Sequence, residues 1–262
     1  MCIRDSVRTL SNDVTEDTKK NLLDLASRVP QTQIAIAQSA YNALSRGVKE
    51  ADLVGFLEVA AKAATAGNTD IVTASDSLLK SLGAFKSQGE TVGSVADKIF
   101  TTTKEAATNF TELNASLGQG LAVSSYGVSL SEVLSIAGNL TDKLGMSFSE
   151  AIVRTNGLIN VVTGSTKKNR DALKALGVEY GISAIKSKGL AAVLDDIRQK
   201  SKGSAEELAK LSGNKRAREG ILGTLAGDNY KDFVKFLELN KKSVGGLGEA
   251  VSYTHLTLPT KA

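Results

Sequence analysis

A helix stop followed at once by a helix start recurs along this chain, and it limits the folds available more than any other feature. Gly127-Val128-Ser129-Leu130-Ser131-Glu132 sets a glycine and a hydrophobe before a Ser-x-x-Glu box. Gly145-Met146-Ser147-Phe148-Ser149-Glu150 repeats that order 18 residues later. In such a box the serine hydroxyl accepts from the backbone N–H three residues on, and the glutamate reaches back to the N–H of the cap. A glycine just before it takes the left-handed turn that ends the previous helix. Gly203-Ser204-Ala205-Glu206-Glu207 is a third case. Stops and starts this close together yield short helices.

The apolar spacing agrees with that reading. Leu130, Val133, Leu134, Ala137, Leu140 and Leu144 share one helical face, as do Phe148, Ala151, Ile152, Thr155, Ile159 and Val162. Earlier helices are predicted over 17–29 (stopped before Pro30), 33–46, 50–66, 70–82 (ending at Gly83) and a longer 92–117. The longer one carries Val95, Ala96, Ile99, Ala106, Phe110 and Leu113 as its stripe. Later helices are predicted over 167–176, 190–202, 206–211, 216–226 and 230–241. Sustained alternation with period two is almost absent. The fold class is therefore all-α: many short helices in antiparallel hairpins, separated by Gly-containing turns and able to form an elongated bundle. The 18-residue echo reads as similar hairpins, below the level of a true solenoid repeat.

Composition supports a packed core. Of 262 residues, 42% are hydrophobic and 23% charged, which is a globular balance. No run of about 18 apolar residues exists to span a bilayer. Aromatic residues are 5% with no Trp, which disfavours stacking platforms for nucleic acid or sugar, and a net charge of +4 predicts no nucleic-acid partner.

The two ends read as foreign. Met1-Cys2-Ile3-Arg4-Asp5-Ser6 and Val251-Ser252-Tyr253-Thr254-His255 can be encoded by one short DNA sequence on opposite strands. That DNA resembles a sequencing-library transposase adapter, and Leu256-Thr257-Leu258-Pro259-Thr260 fits its continuation. The expected organisation is an adapter-derived stretch at 1–6, a helical region at 7–250 with a sub-boundary near 164–189, and a second adapter-derived stretch at 251–262. The helical region is then expected to be a fragment of a longer chain. Setting the ends aside removes the only Cys (Cys2) and the only His (His255), and lowers the net charge by one.

Candidate chemistry is sparse. Without thiolate and imidazole, metal binding lacks its commonest strong ligands, and Ser-His-Asp or Cys-His catalysis has no base. Asp195-Asp196 and Glu206-Glu207 are adjacent carboxylates, but neighbours on a helix diverge by about 100° and do not converge on one ion. Solvated surface is their expected role. Gly118-Gln119-Gly120 follows no strand and precedes no GKS or GKT, so it reads as a flexible linker and not a phosphate loop. The densest basic clusters are Lys167-Lys168-Asn169-Arg170 and Lys215-Arg216-Ala217-Arg218, read as helix C-terminal charges and solvated faces, with nucleic-acid phosphate contact as the weaker alternative. Phe56, Phe85, Phe100, Phe110 and Phe148 are expected core anchors. No catalytic, cofactor-binding or metal residue is expected, and no enzymatic activity.

A family resemblance attaches to particular words. The stretches Ala43-Leu44-Ser45-Arg46-Gly47-Val48-Lys49-Glu50-Ala51-Asp52 and Ala60-Ala61-Lys62-Ala63-Ala64-Thr65-Ala66-Gly67-Asn68-Thr69-Asp70 resemble the core region of phage tail tape-measure proteins. Leu78 to Phe85, Val95 to Thr103, Phe110 to Leu113, Gly127 to Ser129 and Leu173 to Val178 follow in the same order. The resemblance covers most of 7–178 and, more loosely, the remainder. It implies a structural virion-assembly protein that templates tail-tube length and occupies the tube lumen, assembled in the host cytoplasm. The implied partners are the tail tube protein, tail assembly chaperones and further copies of itself, while direct DNA contact is not expected of this segment. Frequent glycines interrupt any continuous rod, so this region is expected to be a folded or refoldable module within the tape. Two other readings stay open: a membrane-interacting helical conduit used in DNA delivery, and an unrelated bacterial helical scaffold.

Overall fold

Most helix starts in this chain are encoded by the residue that precedes them. The structure is a computed structural model describing residues 14–243 and 245–248; the stretches 1–6 and 251–262, read above as adapter-derived, lie outside the described residues. The described residues form fourteen α-helices, two short 3-10 segments and no strand. They are α1 (Glu16–Arg28), α2 (Gln33–Ser45), α3 (Glu50–Ala66), α4 (Ile71–Phe85), α5 (Val92–Glu105), α6 (Phe110–Gly120) and α7 (Leu130–Leu144). There follow α8 (Phe148–Val162), α9 (Lys167–Leu176), α10 (Ile182–Lys188), α11 (Leu190–Lys200), α12 (Ala205–Lys210), α13 (Lys215–Leu225) and α14 (Asn229–Lys242). Ten of the fourteen begin at a Thr, Ser, Asn or Asp whose side chain accepts the N–H three residues on. The chain is all-α.

Both anticipated capping boxes form, at Ser129/Glu132 and Ser147/Glu150, and Gly145 closes α7 in the left-handed conformation at φ 61°. At Ser204 only half a box forms, because the Glu207 carboxylate turns to Lys210 at 2.6 Å.

Four expectations need correction. Helix α4 does not end at Gly83; it runs on to Phe85, since helical glycine costs about 1 kcal/mol and packing of the fully buried Phe85 offsets that. The predicted 92–117 helix is two helices, parted where Ala107 takes φ 50° and Asn109 caps a new start. Its apolar stripe continues across the break, which is why periodicity alone joined them. Gly118-Gln119-Gly120 is no linker: it is the last turn of α6, where a Cβ at Gly120 would meet Ile152 at 3.1 Å. Finally, α10 occupies a stretch where the sequence predicts no helix, since its start at Gly181 carries no side-chain cap.

Packing follows a regular rule. Helices two apart in sequence lie against each other, giving one row of α1, α3, α5 and α7 and a second of α2, α4, α6 and α8. The chain then leaves these rows for α9 to α12 and returns, α13 packing on α8 and α14 on α7. One hydrophobic cluster runs through all of it, from Val14 to Leu247. Phe85, Phe110 and Phe148 are fully buried within it, Phe56 nearly so, and Phe100 packs partly buried against it. Among the described residues no helix is long and apolar enough to cross a membrane.

Candidate functional site

The excursion through α9 to α12 opens a cleft of about 690 Å³ where the chain leaves and rejoins the rows. Its floor is one face of α8: Val153, Asn156, Gly157, Asn160 and Val161. Helix α9 enters from one side with Thr166, Lys168 and Asn169, and the Ser212–Asn214 loop with Arg216 and Ala217 of α13 closes the other.

Local chemistry fixes both walls. Thr166 caps α9 by accepting from the Asn169 N–H at 3.2 Å, and its hydroxyl donates to Asn169 Oδ1. Asn169 is buried, and its amide donates to the Leu211 carbonyl at 2.7 Å, tying α9 to the opposite wall. Asn214 caps α13 by accepting from the Ala217 N–H at 3.1 Å. The start of α13 then rests directly on α8, where a Cβ at Gly157 would lie 2.9 Å from Ala217 Cα. Two helix N-termini are thereby pinned around one floor.

Both basic clusters meet here, which corrects their expected placement. They are not helix C-terminal charges: Lys167 and Lys168 open α9, and Lys215 and Arg216 open α13. A cation in a first turn faces the positive end of the helix dipole, an unfavourable arrangement of about 0.3–1 kcal/mol. The solvated part of the expectation holds, since Lys167, Lys168, Arg170, Lys215 and Arg216 are exposed. Lys168 reaches across towards the far wall, its Nζ 3.1 Å from where a Cβ on Gly213 would sit. Neither Lys168 nor Arg216 has an ion-pair or hydrogen-bond partner among the described residues, and the lining contains no Asp or Glu. The acid of α13, Glu219, is turned to Arg154 at 2.7 Å and Lys215 at 3.9 Å. In sequence, Thr166-Lys167-Lys168 and Asn214-Lys215-Arg216 share a cap-base-base order that marks both starts; their meeting across a cleft is tertiary.

The adjacent carboxylates separate as their helical positions require. Asp195 accepts the Tyr230 hydroxyl at 2.8 Å, whereas Asp196 pairs with Lys188. Burial first, and then the hydrogen bond to Asp195 and its charge, push the Tyr230 phenol well above its usual range, so it stays a donor. Glu206 and Glu207 both face Lys210. No group of three or more His, Cys, Asp or Glu capable of holding a metal occurs among the described residues.

The sequence from 19 to 227 matches the model of a family described as phage-related minor tail protein. No curated protein and no solved structure matches the chain.

Proposed function

Because this chain belongs to the phage-related minor tail protein family, a structural component of the phage tail, we propose that it is a segment of a tail tape measure that occupies the tube lumen and helps set tube length. The observation that carries this reading is the family match over residues 19–227, which covers most of the single helical core that runs from Val14 to Leu247. An unbroken helix over 14–248 would extend about 350 Å at 1.5 Å per residue. The stops at Gly127, Gly145 and Gly177 and the shared core instead favour a folded module carried within the tape. Lumen occupancy then requires either that the module fit the tube folded or that its helices unstack in line. The tube protein, assembly chaperones and other copies of the chain are the partners this role calls for. Family membership favours the tail role over an unrelated bacterial scaffold.

Cross-linking mass spectrometry on assembled tails tests the proposal. Cross-links from Lys62, Lys104 and Lys174 to the inner face of the tube protein are expected, and cross-links confined to its outer face would overturn it. Small-angle scattering of the chain in solution separates a folded module from a rod, the rod profile counting against the module.

A further inference from the structure

Helix α2 is the one described α-helix without a charged residue, yet it meets solvent along one side. It packs on α1, α3 and α4, with Ile36, Ala37, Ser39, Ala40 and Ala43 buried. Its exposed residues are Gln33, Ile34, Gln38, Tyr41 and Ser45. Ile34 at 58% exposure and Tyr41 at 53% are the two most exposed large hydrophobic side chains among the described residues. Positions 34, 38, 41 and 45 alternate steps of four and three, which lays one stripe along the helix at the period of a helix-to-helix seam.

The two ends of the helix rows differ. At the far end α13 covers α8 and α14 covers α7, and α14 turns Lys231, Lys235, Glu238, Lys241 and Lys242 to solvent. A polar outer face of that kind is what closes a stack of helices in water. Helix α2 opens its row with Ile34 and Tyr41 in the equivalent role and no charge beside them on the helix. Charge depletion around an exposed aromatic is the composition of an interface centre.

We propose that this face pairs with α2 of a second copy of the chain, antiparallel about a two-fold axis at Gln38. The missing charge selects that occupant. A two-fold contact sets a face against itself, so any charge on it would meet its like, and α2 has none to repel. A partner chosen by opposite charge finds nothing here to recognise. Gln38 lies close to midway between Ile34 and Tyr41, so the axis sets Ile34 against Tyr41 of the second copy and Tyr41 against its Ile34. The Gln38 amide has no side-chain hydrogen bond among the described residues, and at the axis it can donate to and accept from its counterpart. Helix α2 spans only about 20 Å at 1.5 Å per residue. The contact therefore falls below the roughly 1,200 Å² of stable complexes, and the dimer is a weak one. This gives a surface to the self-contact that the tail role calls for, while pairing in solution does not require that role.

The test uses the whole chain. Sedimentation equilibrium up to about 1 mM reads the dimer, expected with a dissociation constant on the order of 0.1 mM. Ile34→Glu alone and Tyr41→Lys alone should each weaken pairing by about tenfold or more. Mixed in equal amounts, the two variants should pair again to within about threefold of the parent. The antiparallel register sets the new carboxylate of one against the new ammonium of the other, and leaves a native Ile34–Tyr41 contact across the axis. That rescue also separates lost pairing from lost folding, because a misfolded chain is not restored by mixing. With Cys2→Ser in place, Gln38→Cys should form a disulfide-linked dimer under mild oxidation faster than Lys235→Cys on the exposed side of α14. A chain that stays monomeric to about 1 mM overturns the proposal, as does a dimer that both single variants leave intact. A mixture as weak as its components overturns the antiparallel pairing, and so does equal linking at Lys235→Cys. A monomer that floats with phosphatidylcholine vesicles, and loses that with Ile34→Glu, assigns the face to lipid and overturns the proposal too. The cross-links on assembled tails report on the tail role separately, so either reading can fail alone.

Discussion

Two glycines in helix interiors, Gly220 and Gly55, should respond to the same substitution with opposite sign. Alanine is favoured over glycine inside a helix by about 1 kcal/mol. At Gly55, on the exposed side of α3, a Cβ would meet nothing within 4 Å, so the full preference is available. Gly55→Ala should stabilise the chain by about 0.5–1 kcal/mol and raise its melting temperature by roughly 1–4 °C, at 2–4 °C per kcal/mol for a chain of this size. At Gly220 the added Cβ would lie 2.4 Å from the Arg154 carbonyl oxygen and 3.1 Å from its carbon. Both are backbone atoms of α8 and cannot rotate away. Relief requires α13 to retreat from α8 by about 1 Å, which also loosens the contact between Gly157 and Ala217. Overpacking of this kind costs about 3 kcal/mol, so after the helix preference is subtracted the net loss is near 2 kcal/mol. The expected fall in melting temperature is then roughly 4–8 °C. Circular dichroism at 222 nm against temperature and urea reads both variants. A Gly220→Ala chain as stable as its parent would refute the claim that α8 and α13 meet at backbone distance.

Three further outcomes follow from the packing. Glu132 is buried, and besides closing its capping box it accepts from the Ala191 N–H at 2.8 Å, whereas Glu150 closes an exposed box; Glu132→Ala should cost about 2–4 kcal/mol and Glu150→Ala no more than about 1 kcal/mol in urea unfolding. Asn240, fully buried, accepts from Thr102 Oγ1 and donates to Ser135 Oγ, both at 3.1 Å; Thr102 keeps the Lys98 carbonyl at 2.9 Å, so Asn240→Ala orphans the buried Ser135 hydroxyl and should cost about 1–3 kcal/mol, read by the same unfolding curves. Hydrogen bonds from Thr18 and Thr15 hold the Glu50 carboxyl below its ordinary 4.5. At Asp76 burial raises the carboxyl, but Lys80, Asn114 and Arg46 outweigh it and leave it below 3.8. Both groups bind protons more readily unfolded, so their contribution is complete above those ordinary values and is lost as pH falls through the lower folded ones. Melting temperature should accordingly fall below about pH 4.5, and Glu50→Gln should shrink that fall; an unchanged acid profile in the variant would count against the Glu50 hydrogen bonds.

Legibility in the sequence was uneven for a physical reason. Helix starts depend on a hydroxyl or amide and the three residues after it, so Ser129 and Ser147 announced α7 and α8 within the sequence. Helix ends were less legible, because glycine has two uses. Gly145 ends a helix through a left-handed turn, while Gly83 and Gly220 continue one. The dihedral that separates them is not written in the residue's identity. The cleft was legible only in pieces: two basic clusters stood out, but nothing local placed them at facing helix starts.

Sequence by itself determined that this chain is all-α, built of short capped helices around an alanine- and leucine-rich core, because caps and apolar period act within one turn of the chain. Tertiary structure alone decided which helices share a row, that Glu132 is buried while Glu150 is not, and that Lys168 and Arg216 border one cleft. Those outcomes rest on contacts between residues tens of positions apart, where burial and charge depend on what the rest of the fold brings alongside.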